Sequence, residues 1–356
     1  MIFALSGLCL CTELEWREVF RARKTKDDVV SPNQFATLFN SGDGVLLCGG
    51  GSDLHQQTVY PTLFRSTDDG ETWEQVYKGK ATDFSMYAFQ KLENGDIVGI
   101  IPGKLLRSRD MGKNWVSMAL PNTGFSMNHA DGVLLVSRNP GQVYRSKDYG
   151  NTFERITYSI EAGCDNLRAI SYAGDGIFYM GVGQEASLPQ THARVFKTYD
   201  YGLTWTKVLD LVNTGAASVI FSVFAFDTKK VLIGSGGISP GFATIMMTSD
   251  GGNTWKEILN IKTIDPTITI VRSFFKDKDN NLFACCDCSY SSTSPMSDEP
   301  DKNKNSLILI SKDAGETWSL FSRTNTKRLY WMSQTKEGNY IVSTGEYGQI
   351  LKSVNI

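Results

Sequence analysis

Three arginines stand near the starts of apolar, strand-like runs: Arg168 in Asn166-Leu-Arg-Ala-Ile, Arg272 in Ile270-Val-Arg-Ser-Phe and Arg328 in Lys327-Arg-Leu-Tyr-Trp. A guanidinium offers a rigid fork of donors that fits a carboxylate or another oxyanion with two parallel hydrogen bonds. Converging arginines would therefore hold an anion. Acid–base chemistry on a sugar would need two carboxylates, or a nucleophilic Tyr with an acid, at a defined separation. Asp53, Glu185, Asp287, Glu346 and Tyr347 are of the right type. None lies in a diagnostic catalytic motif, and each also reads as an ordinary loop residue.

The elements that position these side chains are repeated. Six times the chain carries Ser/Thr-x-Asp-x-Gly-x-Thr/Asn-aromatic, with the aspartate at Asp68, Asp110, Asp148, Asp200, Asp250 and Asp313. Repetition at this spacing means copied supersecondary units. From Asp to Asp the intervals are 42, 38, 52, 50 and 63 residues. The variation must therefore lie in loops outside the copied part. An Asp in a tight turn accepts backbone N–H groups ahead of it, the Ser/Thr hydroxyl adds another bond, and Gly supplies the positive φ that closes the turn. The aromatic then opens the next strand.

Between signatures, β-branched and aromatic runs are joined by Gly42-Asp-Gly44, Asn94-Gly-Asp96, Asp175-Gly176 and similar hairpin turns. Each unit is thus four strands with the Asp/Gly corner between the third and fourth. Seven units follow, at 34–77, 82–119, 124–157, 167–208, 217–258, 269–321 and 328–356. The last is completed by 13–20, because Glu15-Trp16-Arg17-Glu18-Val19-Phe20 matches the strand that follows a corner and Ser353-Val-Asn355 matches the start of one. Such closure removes two open sheet edges. Six of the seven Trp (16, 73, 115, 205, 255, 318) then share one position.

The corner resembles the Asp-box of BNR-repeat proteins. The chain is similar over nearly its whole length to the sialidase, sortilin and xyloglucanase group of β-propellers, and to the photosystem II assembly-factor-like propellers. The resemblance implies an all-β, seven-bladed propeller in a single domain. It places the six aspartates on the blade periphery as structural residues, away from the ligand face. Fold alone does not fix function, since these families include glycosidases, receptors and assembly factors. Sialidases use an arginine triad in a comparable setting, which Arg168, Arg272 and Arg328 resemble. The Phe/Tyr-Arg-Ile-Pro motif of sialidases is missing, and their propeller has six blades.

Composition narrows the partners. A net charge of −2 with interspersed signs gives no case for nucleic acid or a membrane surface, and no run of 18 apolar residues is present. Residues 1–12 are apolar without a basic start, which reads as a packed extension of the closing strand rather than a secretion signal. The seven Cys (9, 11, 48, 164, 285, 286, 288) are odd in number and point to reduced thiols. Cys285-Cys286-Asp287-Cys288 lacks a partner ligand pair, and Asp277-Lys-Asp279-Asn-Asn281 lacks the Gly and Glu of a calcium loop, so no metal and no cofactor is expected. Excess length gathers in second-to-third strand connections, at Gly49–Pro61, Gly183–Ala193, Gly234–Ala243 and Cys288–Ser306. These loops share one face with the arginines.

The leading expectation is a non-enzymatic recognition propeller binding a glycan or protein on that face, alone or within an assembly. Display on a virion after synthesis in a reducing compartment would reconcile the free thiols with surface recognition. The alternatives are a sialidase-like glycoside hydrolase acting on an acidic sugar, with Tyr347, Glu346 and Asp287 as candidates, and an intracellular assembly factor.

Overall fold

The computed structural model describes residues 14–22, 34–51, 60–80, 83, 85–120, 123–138, 140–157, 166–184, 191–213, 218–237, 243–288, 306–326, 328–345 and 348–354. Among them all regular structure is antiparallel β, apart from short 3-10 turns such as Ile261–Thr263. β1 (Trp16–Arg21) stands first. A sheet of four follows: β2 (Gln34–Asn40), β3 (Leu46–Gly51), β4 (Thr62–Ser66) and β5 (Glu74–Lys78). The next contains β6 (Ala88–Lys91), β7 (Ile97–Ile101), β8 (Gly103–Ser108) and β9 (Val116–Leu120), and the third β10 (Thr123–Ala130), β11 (Val133–Arg138), β12 (Gln142–Ser146) and β13 (Glu154–Thr157).

The largest sheet holds β14 (Asn166–Gly174), β15 (Ile177–Gln184), β16 (Thr191–Thr198), β17 (Thr206–Asn213), β18 (Ser218–Ala225), β19 (Val231–Gly236), β20 (Thr244–Thr248), β21 (Lys256–Asn260), β22 (Ile268–Lys276), β23 (Leu282–Cys288), β24 (Ser306–Ser311) and β25 (Ser319–Thr324). It is three four-stranded meanders joined where β18 pairs with β15 and β22 with β19. Glycine permits the join: a Cβ on Gly183 would lie 2.3 Å from the Ser218 carbonyl oxygen. β26 (Leu329–Gln334), β27 (Tyr340–Thr344) and β28 (Gln349–Ser353) form a sheet whose outer strand is β1, with Trp16 opposite Ser353.

The core lies between sheets. Leu47 and Leu63 pack with Ile97 and Leu106 of the following sheet, and Leu232 and Ile245 pack with Val271 and Leu309. Phe35, Leu46 and Phe64 pack with Ile341 and Ile350, which joins the sheet of β2–β5 to that of β26–β28. First strands touch in succession, β2 with β6, β6 with β10, β10 with β14, β14 with β18, β18 with β22, β22 with β26, and β26 with β2.

The repeated corner has one geometry throughout. In the first copy Ser66 Oγ donates to Asp68 Oδ1 at 2.8 Å and accepts from the Gly70 N–H at 3.0 Å, while Asp68 accepts from the Thr72 N–H at 2.9 Å and the Thr72 hydroxyl at 2.5 Å. The Thr317 hydroxyl and then its backbone N–H hold the Asp313 carboxyl down to about 2. Four of the Trp indoles return a bond to the corner Gly carbonyl, as Trp73 does at 2.9 Å. Trp16 donates instead to Ser322 Oγ of the preceding sheet, at 2.9 Å.

The sequence places the positive φ on the corner Gly alone, but the residue before it is left-handed too: Asp69, Met111, Tyr149, Tyr201 and Ala314, with φ from 56° to 59°, and Gly251 at 78°. Two successive left-handed residues turn the first one's carbonyl outward, toward the previous sheet. A basic side chain of that sheet meets it in five places. Arg65 Nε donates to the Met111 carbonyl at 2.9 Å, Arg145 Nε to Tyr201 at 2.7 Å, Lys197 Nζ to Gly251 at 2.9 Å and Lys352 Nζ to Asp69 at 2.9 Å, and Arg107 donates to Tyr149. Each donor immediately precedes the Ser/Thr of its own signature. Met247 and Ile310 stand in the two remaining places.

Of the five side chains held left-handed, Ala314 is the smallest, so its conformational strain is least offset by contacts. Ala314→Gly should raise stability by about 1 kcal/mol, because an L-residue in this region costs that much relative to Gly. Urea denaturation midpoints with an unchanged slope will show it.

Candidate functional site

The antiparallel order puts the starts of first strands beside the ends of second strands: Asn166 opposes Gly183, Ile268 opposes Cys288, and Leu329 opposes Thr344. The Asp/Gly corners flank the opposite ends, since Leu46 opposes Ser66 and Leu282 opposes Ser311. The arginines therefore lie at the end of the molecule away from the corners.

Arg168 and Arg272 each sit at a break in register, as do Phe221 and Tyr330, and Arg328 stands two residues ahead of the last of these breaks. In β14 the pairing steps from Leu167 to Ala169, in β18 from Ile220 to Ser222, in β22 from Val271 to Ser273, and in β26 from Leu329 to Trp331. The residues that the register skips are Arg168, Phe221, Arg272 and Tyr330. A bulge re-aims its extra side chain out of the regular pleat, and here the re-aimed side chains meet in a belt. The Arg168 guanidinium lies 3.6 Å from the Phe125 ring centroid and 5.9 Å from that of Phe221. Arg272 lies 4.9 Å from Phe221 and 5.0 Å from Tyr330. Tyr87 packs edge-on against Phe125 at 4.7 Å, and the Tyr330 hydroxyl donates to Gln34 Oε1 at 2.8 Å. These contacts form a chain that touches every first strand or its immediate approach.

Asp287 is the correction to the sequence reading, which places it among the loop-face candidates. It lies in β23, where every residue is buried, and its side chain is 0 % exposed. Arg272 chelates it with Nε at 2.9 Å and Nη2 at 3.1 Å. Burial pushes its carboxyl up against the opposing charges of Arg272 and Arg328. Arg168, desolvated and repelled by Arg272, is lowered to about 10 and remains cationic at neutral pH. The structure thus gathers Arg168, Arg272 and Arg328 with Asp287, and Arg272 is the link between the acid and the aromatic belt. Asp53, Glu185, Glu346 and Tyr347 lie outside the described residues, as does most of the four long connections.

Sequence reasoning found the arginines because a cation in an apolar strand is conspicuous. It passed over Phe125, Phe221, Tyr330 and Tyr87, which look like core residues. Aligning Leu167-Arg-Ala, Ile220-Phe-Ser, Val271-Arg-Ser and Leu329-Tyr-Trp on their apolar first residue would have brought Phe221 and Tyr330 into one column with Arg168 and Arg272. Elsewhere, Cys48, Cys285, Cys286 and Cys288 are buried, and burial raises Cys285 to about 12. Asp277 accepts the N–H groups of Asp279 and Asn281, at 2.9 and 2.8 Å, and so closes its own hairpin turn.

No family model matches the chain, and no curated protein matches it by sequence. Solved structures do. YCF48 from Cyanidioschyzon merolae superposes with a TM-score of 0.59 at 15% identity, over 95% of this chain and 98% of that one. YCF48 bound to D1 peptide gives 0.61 at 15% identity, over 99% and 97%. The WD40 β-propeller domain of Doa1 gives 0.60 at 9% identity, over 96% and 98%. At these identities the likeness establishes architecture, and this chain is a β-propeller.

The Arg272–Asp287 pair separates support from recognition. Arg272→Ala leaves a buried carboxylate without its partner and should cost about 3–5 kcal/mol. The double change Arg272→Met with Asp287→Leu should recover most of that loss, as chemical denaturation will reveal.

Proposed function

We propose that the chain is a seven-bladed Asp-box propeller closed by β1, and that it binds an anionic segment of another protein across the belt without catalysing a reaction on it. The belt carries this reading. Among the described residues three guanidinium groups gather with one carboxylate, and the interleaved Phe125, Phe221 and Tyr330 rings supply flat apolar surface. A carboxylate-bearing peptide with apolar side chains satisfies both features. The peptide-bound YCF48 structure supports the choice as a precedent within the fold. A glycoside hydrolase fits less well, because Asp287 is enclosed and chelated by Arg272.

The blade count draws support from the grouping of strands in fours and from the circuit of first-strand contacts back to β2. Closure draws support from Lys352, which is 3 % exposed and bonds Asp69 Oδ2 and Glu71 Oε1 at 2.8 Å in addition to the Asp69 carbonyl. Lys352→Met, which copies Met247 at the equivalent place, should lower stability by about 2 kcal/mol or more. A silent Lys352→Met beside a costly Arg65→Met would mean that the last sheet does not dock on the first.

Selection from a displayed random peptide library tests the binding reading. Enriched peptides should carry an Asp, Glu or free C-terminal carboxylate beside an apolar residue. Arg168→Gln and Phe221→Ser should each weaken them about tenfold or more, as central interface residues do. Glycan-array binding that depends on the belt, or turnover of a fluorogenic sialoside, would replace this reading with one of the sugar-directed alternatives.

A further inference from the structure

The opposite ends of three first strands enclose a second feature. Leu38–Asn40 of β2, Phe274–Lys276 of β22 and Trp331–Gln334 of β26, together with Lys278, line a recess of about 370 Å³. That volume is in the range of small-molecule sites. Its lining residues lie one to six positions beyond the belt residues Gln34, Arg272 and Tyr330, along the same strands or just past their ends, toward the end where the corners lie.

Trp331 is the anomaly. The bulge registers give it the same position as Ala169, Ser222 and Ser273, all buried and small. In its place stands the largest side chain available, left 37 % exposed. Packing does not require it, since the sibling strands fill that position with a methyl or hydroxymethyl group. The polar surroundings are equally one-sided. Lys276 and Lys278 are exposed, neither forms an ion pair among the described residues, and no acidic side chain lines the recess. The two amides are already engaged: Asn40 donates to the Gln334 carbonyl at 2.6 Å, and Gln334 accepts the Lys278 N–H at 3.2 Å and donates to the Gly338 carbonyl at 3.0 Å. What the recess offers a ligand is an indole face and two ammonium groups.

We propose that this recess binds a small molecule that joins a flat ring to a phosphate, of mononucleotide size. The ring stacks on Trp331 and the phosphate takes Lys276 and Lys278. Stacking on an aromatic side chain tolerates any base, so the site selects for ring and charge rather than for base identity. It is separate from the belt and does not depend on what the belt binds.

Calorimetric titration of the full chain with adenosine 5′-monophosphate, adenosine and inorganic phosphate tests the proposal. The nucleotide should bind, and each half alone should bind about tenfold more weakly or worse, since linking two contacts raises the effective concentration of the second. The double variant Lys276→Gln/Lys278→Gln should weaken the nucleotide about tenfold or more, with its urea midpoint unchanged because both side chains are exposed. Trp331→Ser, which installs the residue of β18 and β22, should remove the contribution of the ring. No heat at about 1 mM nucleotide, or binding untouched by the lysine double variant, overturns the proposal.

Discussion

Everything in this molecule hangs on a carbonyl turned the wrong way. Two consecutive left-handed residues at each corner, such as Tyr201 and Gly202, rotate the first carbonyl out of its own sheet and toward the previous one. At five of the six corners an Arg or Lys of that sheet meets it, as Arg145 does at 2.7 Å. The adjacent Gly meanwhile lies so close to a branched side chain of the previous sheet that a Cβ would stand 2.8 Å from Leu135 at Gly202, and 2.6 Å from Leu232 at Gly315. The corner thus performs two tasks with one conformation: it ends its own third strand and grips its neighbour. The Asp carboxylate holds that conformation by accepting both the backbone N–H and the side-chain donor of the Thr, or Asn114, that follows.

This grip acts at one end of the sheets only. At the other end, first strands carry bulges, and a bulge gives up a ladder pairing to aim a side chain elsewhere. The two ends therefore divide the work. Regular pairing and corner contacts supply rigidity, and the bulged ends present Arg168, Phe221, Arg272 and Tyr330 from backbones that cannot easily shift. Under the proposed binding role, a belt built this way has little conformational freedom to lose, which is how preorganised sites gain affinity.

The fold was legible because the corner needs particular chemistry at fixed offsets. Asp, Gly and the hydroxyl residue cannot be exchanged there without breaking a bond, so six copies declare themselves. The left-handed residue before the Gly was not legible, since Asp69, Met111, Tyr149, Tyr201 and Ala314 have nothing in common but their backbone. Nor was the clamp, although Arg65, Arg107, Arg145, Lys197 and Lys352 each precede the hydroxyl residue; Met247 and Ile310 interrupt the series. The site was half legible. Charge exposes an arginine in an apolar strand, but an aromatic ring in the same place reads as core. Asp287 was misread because Cys285-Cys286-Asp287-Cys288 runs into a long connection, whereas β23 continues through it and the carboxylate turns inward to Arg272.

Two glycines at the ends of second strands set the spacing of half the belt. Gly183 and Gly236 let the backbones of β18 and β22 come within hydrogen-bonding reach of β15 and β19, so three meanders become one twelve-stranded sheet. Arg168, Phe221 and Arg272 all project from that sheet, whereas Phe125 and Tyr330 come from separate ones. Their mutual spacing is therefore set by main-chain bonds as well as by packing between sheets. Asp287 lies on β23, which pairs directly with the β22 that carries Arg272, so main-chain bonds also hold the acid beside the arginine. Side chains that touch one another have been placed where the backbone pairing is continuous.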